Sequence, residues 1–231
     1  MGKMQKRVTA IILAAGDGRR MGLSEKKQFL MLSGIPVIRR TVEAFVSCEA
    51  VSDIVIVTAE EDVRRTRELL LGLDEKPVNI VAGGKTRAES ARLGFLAAPL
   101  DTDFVAFHDG ARPLISAADI AAVISAAAEF GAATAGRAVT DTVKRMNKDG
   151  VISETLPRTE LFLAATPQVF SRELYAASLL CDTESDTDDN MQIERIGGKI
   201  RCVETDSENI KITTATDLEY AEYLIGRKKD V

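Results

Sequence analysis

The sequence predicts an α/β protein: a mostly parallel sheet with helices on both faces, plus an extended β-hairpin arm. Three observations lead there. Short apolar, β-branched runs at 8–13, 54–57, 78–81 and 104–107 lack the strict alternation of a half-solvated strand, so they suit strands covered on both sides. Segments of helical periodicity alternate with these runs, without internal repeats. Glycine-containing loops follow three of the runs, at the strand ends where such sheets bind ligands.

The first run holds Val8, Ala10, Ile11, Ile12 and Leu13 and ends at Ala14-Ala15-Gly16-Asp17-Gly18. Small residues leave the backbone N–H groups uncovered, so a polyphosphate can approach them. Arg19, Arg20, Lys26 and Lys27 follow closely. A glycine turn after a buried strand is by itself often only a turn; the cations beside it point to phosphate. Two familiar loops are excluded. GxGxxG needs a glycine where Met21 stands, and GxxxxGK[ST] fails because Arg19 and Arg20 follow Gly18.

Pro36, followed by Val37, Ile38, Thr41, Val42 and Phe45 at helical spacing, predicts a helix over 35–45. An amphipathic helix is expected over 60–71, with acids in its first turn complementing the dipole. The third run enters Gly83-Gly84 and a helix over 86–97, and the fourth ends at His108-Asp109-Gly110-Ala111-Arg112-Pro113. An alanine-rich helix over 117–130 precedes a strand over 132–139. The fold rule predicts that loops 14–27, 82–87 and 108–113 converge.

The rhythm breaks after Val139. Residues 141–154 read as a hairpin with a polar tip, an arm spanning 139–158 inserted into a single domain of 1–231. A dimerisation element and a surface flap both fit it. The core resumes at 162–170, and Ser171 caps a helix over 171–180 with Glu173 in its first turn. The acidic stretch 182–189 reads as a solvated loop and helix cap, not a metal site. A strand over 200–203 and a helix over 216–225 close the chain.

At 231 residues the chain is long enough for a full core. A net charge of −5 argues against a nucleic-acid coat, which needs a broad basic face, but not against binding one nucleotide. Cys48, Cys181 and Cys202 are odd in number and far apart, so they read as free thiols in a reducing compartment. The basic start MGKMQKR leads into an apolar run too short for a signal peptide or a membrane span, and a cytoplasmic protein is expected.

Among chemical candidates, Gly84-Lys85-Thr86 ends like a Walker loop, but the loop's first glycine would fall at Asn79, inside a strand. Lys85 and Arg87 remain as cations that could border a base or phosphate. His108 is the one histidine, and no G-x-S-x-G accompanies it, so a hydrolytic triad is not expected; it offers no metal-ligand cluster and reads as a residue hydrogen-bonded beside a strand end. Asp109, after a buried strand, could hold a metal ion or a hydroxyl; a structural pairing with Arg112 is the alternative.

The strings LAAGDGRRM, Lys27-Gln28-Phe29, GGKTRAES, HDGARP, AVTDTVKR, ATPQVF and ENIKITTATDL follow one another over nearly the whole chain. Together they resemble the 2-C-methyl-D-erythritol 4-phosphate cytidylyltransferase family of the non-mevalonate isoprenoid pathway. The resemblance implies a Rossmann-like nucleotidyltransferase fold and a Mg2+-dependent reaction. CTP and methylerythritol phosphate would give the CDP-alcohol and pyrophosphate, in a homodimer whose arm reaches the neighbouring site. It implies that Arg20 and Lys27 stabilise the pentacoordinate α-phosphate, and that Ala14, Ala15, Gly16, Gly18, Gly83 and Ser90 contact CTP. Asp109 and Arg112 fall around ribose, metal and acceptor. Thr140, Arg158 and Lys211 match groups that hold the acceptor phosphate, and Thr166 matches an acceptor contact. Lys26 stands where many members have proline, which leaves two adjacent lysines competing for one role; Gly110 stands where alanine is usual. A related acceptor such as ribitol 5-phosphate would fit the same pattern.

A phosphate monoester, with its second pKa near about 6, is largely dianionic at neutral pH and needs no general base. The expected difficulty is electrostatic, because a dianion must approach a triphosphate. Fixed cations and positioning are therefore the expected means of catalysis.

Overall fold

The computed structural model describes residues 6–16, 25–181, 188–206 and 208–229. Gly18 and Arg20, singled out above, lie outside the described residues, as does most of the acidic stretch. In chain order the strands are β1 (Val8–Ala14), a short hairpin of β2 (Met31–Leu32) and β3 (Ile35–Pro36), β4 (Asp53–Thr58), β5 (Val78–Ala82), β6 (Phe104–Asp109), β7 (Ala132–Ala138), the arm strands β8 (Lys144–Met146) and β9 (Ile152–Thr155), β10 (Phe162–Ser171) and β11 (Arg201–Glu204). The helices are α1 (Val37–Val46), α2 (Val63–Leu69), α3 (Arg87–Ala97), α4 (Ala117–Phe130), α5 (Arg172–Ser178), α6 (Asp189–Arg195) and α7 (Ala215–Lys229).

Seven strands form the central sheet in the order β11-β7-β10-β6-β1-β4-β5. β1 pairs in parallel with β4 and β6, β4 with β5, and β7 with β11; β10 alone runs against its neighbours. This is the mostly parallel sheet that the apolar runs predict. Alternate residues of β1 serve opposite faces. Ala10 and Ile12 pack with Ile38, Val42 and Phe45 of α1 and with Ile120 and Val123 of α4. Ile11 packs with Ala91 and Phe95 of α3, Tyr175 of α5 and Ile193 of α6. Helices thus cover both faces, and β1 has no solvated side.

Local signals explain most boundaries. α4 begins where the Ser116 hydroxyl accepts from the Asp119 N–H and ends at Gly131, whose φ of +88° is a left-handed cap. The expectation of one helix over 35–45 is corrected: Ser33 (φ +49°) and Gly34 (φ +80°) form a turn between β2 and β3, and α1 starts only at Val37. The expected helix over 60–71 is likewise a 3-10 turn, Glu60–Asp62, followed by the shorter α2. β6 runs two residues past the apolar stretch, because its register with β1 continues to Leu13↔Asp109. His108 and Asp109 are therefore strand residues.

The arm strands form their own two-stranded sheet. At the tip the Asn147 carboxamide accepts from the N–H groups of Asp149 (3.0 Å) and Val151 (2.9 Å), and Gly150 takes φ +79°. An Arg145–Glu154 pair at 2.8 Å crosses the strands. Met146, Val151 and Ile152 are exposed on it.

α3 lies unusually close to the sheet. A Cβ on Gly94 would sit 2.5 Å from Ile11 Cγ2 and 2.8 Å from Val57 Cγ2. Gly94→Val is expected to cost about 3 kcal/mol by overpacking, measured as a lowered urea midpoint with an unchanged slope.

Candidate functional site

A cavity of about 720 Å3 opens at the carboxyl ends of β1, β4, β5 and β6. All three loops expected to converge contribute to its wall. One side is Ala14, Ala15 and Gly16, facing Gly83, Gly84 and Ser90. This approach requires glycine: a Cβ on Gly83 would lie 2.7 Å from Ala15 Cβ and 2.9 Å from Ser90 Oγ. Ser90 Oγ accepts from the Gly84 N–H at 3.1 Å and so shapes the turn. The Thr86 hydroxyl caps α3 by accepting from Glu89 N–H, and Asn79 pairs with Val55 within the sheet, so no P-loop is formed here.

Lys27 lines the same cavity from the 3-10 turn Lys27–Phe29. The turn is tied to the first loop by Gln28, which is buried and donates from Nε2 to the Ala14 carbonyl at 2.9 Å. The adjacent Lys26 faces elsewhere: its ammonium pairs with Asp62 at 2.6 Å and Glu61 at 2.8 Å. The competition between the two lysines is thereby divided, with Lys27 toward the cavity and Lys26 toward the acids before α2.

Asp109 sits at the cavity floor. Its Oδ2 is 3.0 Å from Lys211 Nζ and 3.1 Å from Arg112 Nε. Burial alone would raise this carboxyl; the charges of Lys211, Arg112 and Arg87 outweigh it and hold the group well below the usual carboxylate range. Arg112 also donates to the Asn209 carbonyl at 2.9 Å, which joins the β6 loop to the segment before α7. Beneath the floor the Asp109 N–H donates to Thr166 Oγ1 at 3.1 Å. Thr166 Oγ1 lies 3.0 Å from His108 Nδ1, and His108 Nε2 lies 3.2 Å from the Arg112 carbonyl. A carbonyl can only accept, so Nε2 carries the proton and Nδ1 accepts from the threonine. His108 is fully buried, and burial pushes its pKa down to about 4.

Arg87, at the cavity wall, pairs with Asp189 at 2.6 Å, and Tyr175 donates to the same carboxylate at 3.2 Å. Asp189 is fully buried, and burial pushes its carboxyl up against the pull of Arg87. This corrects the expectation that the acidic stretch is solvated through Asp189. Asp188 does act as the expected cap, accepting from the Met191 N–H at 3.2 Å.

Ala14, Ala15, Gly16, Lys27, Gly83, Ser90, Asp109 and Lys211 share one cavity. Lys211 also borders a second cavity of about 240 Å3, with Arg112, Arg137, Asp206 and Asn209. Thr166 is buried under the floor. Thr140 and Arg158 lie outside both linings; Arg158 donates to the Thr140 carbonyl at 2.6 Å, so it is the backbone of Thr140 that braces the guanidinium.

The model of one family, described as 2-C-methyl-D-erythritol 4-phosphate cytidylyltransferase, matches residues 8–227. The chain belongs to that family. A relative of the same name from Pelotomaculum thermopropionicum is 41% identical over 238 residues, covering 96% of each chain. Another, from Caldanaerobacter subterraneus, is 39% identical over 95% of this chain and 99% of its own. Among solved structures, 4-diphosphocytidyl-2C-methyl-D-erythritol synthase from Anaerococcus prevotii superposes with a TM-score of 0.86 at 28% identity, over 97% of this chain and all of that one. The Thermus thermophilus cytidylyltransferase does so at 0.74 and 26% identity, over 94% and 98%.

Three features of this cytidylyltransferase-family site escaped sequence reasoning. Gln28 is a buried amide bonded to Ala14, 14 residues away, and nothing beside it in the sequence marks it as buried. His108 is hydrogen-bonded at a strand end as expected, but its partner Thr166 is far away in sequence. The Arg87–Asp189 pair joins residues 102 apart, with no local signal.

A neutral buried histidine makes stability depend on pH. Folded His108 titrates near about 4 against 6.5 for the ordinary group. Its contribution is complete above pH 6.5 and is lost as pH falls toward 4, because only the unfolded chain takes the proton in that window. Over the window it amounts to about 3 kcal/mol. His108→Gln is expected to flatten the stability-versus-pH slope between pH 6.5 and 4 by that amount, measured by urea unfolding against the parent chain.

Proposed function

We propose that this chain transfers a cytidylyl group: methylerythritol phosphate attacks the α-phosphate of CTP, giving CDP-methylerythritol and releasing pyrophosphate. The carrying observation is the single cavity in which the three loops meet, in a chain matched by the family over 8–227. The nucleophile is already a dianion near neutral pH. His108 accords with this, being buried and engaged through both ring nitrogens, so it is not placed to move a proton.

The work is then positioning and charge stabilisation. Backbone N–H groups after β1 face the polyphosphate, while Gly83 and Ser90 shape the wall for the base. Lys27, with Arg20 from the same segment, meets charge developing on the α-phosphate. Lys211 borders both cavities and Arg112 the smaller one, which suits an acceptor phosphate in the smaller one. Two phosphate charges 4 Å apart repel by roughly 1 kcal/mol in water and several-fold more in a drier site, so these cations are required.

Among the described residues no group of three or more His, Cys, Asp or Glu is arranged to hold a metal. Mg2+ takes only one or two carboxylates and completes its shell with phosphate oxygens and water, and Asp109 at the cavity floor offers one, its Oδ2 shared with Lys211 and Arg112. Asp109 would supply the carboxylate. Bound there, Mg2+ would neutralise charge on the departing pyrophosphate.

The arm is assigned to a homodimer. It projects Met146, Val151 and Ile152 into solvent, an apolar patch of the kind that marks an interface. Arg158 lies away from its own protomer's cavity, which suits delivery to the neighbour's site. The three free thiols suit a reducing compartment, which supports a cytoplasmic protein; no described helix is long and apolar enough to cross a membrane.

A pyrophosphate-release assay crossing the four nucleoside triphosphates with methylerythritol and ribitol phosphates tests the reading. Release only with CTP and methylerythritol phosphate is expected; preference for ribitol phosphate would reassign the acceptor, and no release with any pair would refute the transfer. Arg20→Ala and Lys27→Ala are each expected to cost about 3 kcal/mol or more in transition-state stabilisation, at least about 100-fold in kcat/KM. Replacing both Met146 and Ile152 by Asp is expected to yield monomers by analytical ultracentrifugation, with activity reduced in step.

A further inference from the structure

We propose that Lys26 is a positioning residue: its ammonium, clamped by Asp62 and Glu61, fixes the direction in which Lys27 enters the nucleotide cavity. The inference rests on the reading of Lys27 as a catalytic group. It concerns a residue that neither touches the cavity wall nor faces the reacting atoms.

The geometry is a short turn held from several sides. Lys26 Nζ lies 2.6 Å from Asp62 Oδ2 and 2.8 Å from Glu61 Oε1. The inner pair is the sheltered one, its side chains 27% and 11% exposed. An ion pair in that position is screened less than a surface pair and keeps a defined geometry. Next to it Glu25 receives two bonds from Arg65, at 2.9 and 2.8 Å, and the Arg65 guanidinium stacks 4.3 Å over the Phe29 ring. Phe29 is buried, and Gln28 is bonded to Ala14. The side chains of residues 25, 26, 28 and 29 are thus all anchored to fixed parts of the protein. Lys27, in the middle of the clamp, has its backbone direction set by them and lines the cavity.

Charge supplies a second effect. Glu60 and Glu61 line the same cavity, and Asp62 follows them. Two of these three acids share the Lys26 ammonium, which offsets one of their negative charges. Removing Lys26 would loosen the turn and leave one more uncompensated negative charge beside it.

The backbone offers a substitution that separates position from charge. Lys26 has φ −68° and ψ 135°, which proline adopts without strain, at the loss of one bond from the Lys26 N–H to Glu25 at 3.0 Å. Lys26→Pro stiffens the turn by covalent geometry, whereas Lys26→Met removes the clamp and stiffens nothing.

The test compares the parent, Lys26→Met, Lys26→Pro and Lys27→Ala, with Asp62→Asn as a second way of opening the clamp. Steady-state pyrophosphate release gives kcat and KM for CTP, and amide hydrogen exchange follows residues 25–32. Lys26→Met and Asp62→Asn are expected to lower kcat about 10-fold with little change in KM, and to speed exchange in the turn. Lys26→Pro is expected to stay within about 3-fold of the parent and to lose less activity than the parent as salt is raised. If Lys26→Met matches the parent in kcat and exchange while Lys27→Ala is inactive, the inference fails and the catalytic reading stands. Near-normal turnover by Lys27→Ala would instead sink the catalytic reading, and the inference with it. A proline variant as impaired as the methionine variant would also overturn the positioning role.

Discussion

The Asp109 carboxylate, buried at the end of β6, is balanced by two cations that reach it from different parts of the chain. Arg112 comes from the next turn and Lys211 from the segment before α7, and both meet the same oxygen. Burying a carboxylate costs several kcal/mol unless it is paired and hydrogen-bonded. Neither cation can leave without leaving the acid exposed to that cost. The loop after β6, the cavity floor and the C-terminal segment are therefore one electrostatic unit. A buried pair of this kind is weak as a source of stability and strong as a specifier of position, which is what a site that works by placing charges requires.

Beneath this unit the protein is neutral. His108 links Thr166 to the Arg112 carbonyl, and Thr166 in turn receives the Asp109 N–H. A protonated imidazole here would add a buried charge next to Arg112 and Lys211. Desolvation prevents this, and the ring serves as a rigid spacer with one donor and one acceptor. Above it, Gly83 and Gly110 allow the loops to come within contact of Ala15 and Ala14. That part of the wall is thereby made of backbone and small side chains, fixed dipoles that need no reorganisation.

Elements whose causes are local were legible in the sequence. The apolar runs became β1, β4, β5 and β6, and α4 fell on its expected residues because its serine cap and terminal glycine are written within it. The three small-residue loops were legible as a ligand site, since topology places parallel strand ends together. Less legible were the Ser33-Gly34 turn, hidden by a helical spacing that began after it, and α6, whose apolar face is short and follows a run of acids. Of the two adjacent lysines, sequence pattern named both; only Asp62 and Glu61 separate them.

Fold class and the strand-end loops followed from the sequence, because hydrophobic period and glycine placement are properties of neighbours along the chain. Tertiary structure alone decided the partners: Lys211 with Asp109, Arg87 with Asp189, Gln28 with Ala14 and His108 with Thr166. These contacts span from 14 to more than 100 residues, and their strength depends on how much water the surrounding packing removes. Burial is a collective property of the folded chain, so a charge's partner and its pKa cannot be read from the residues beside it.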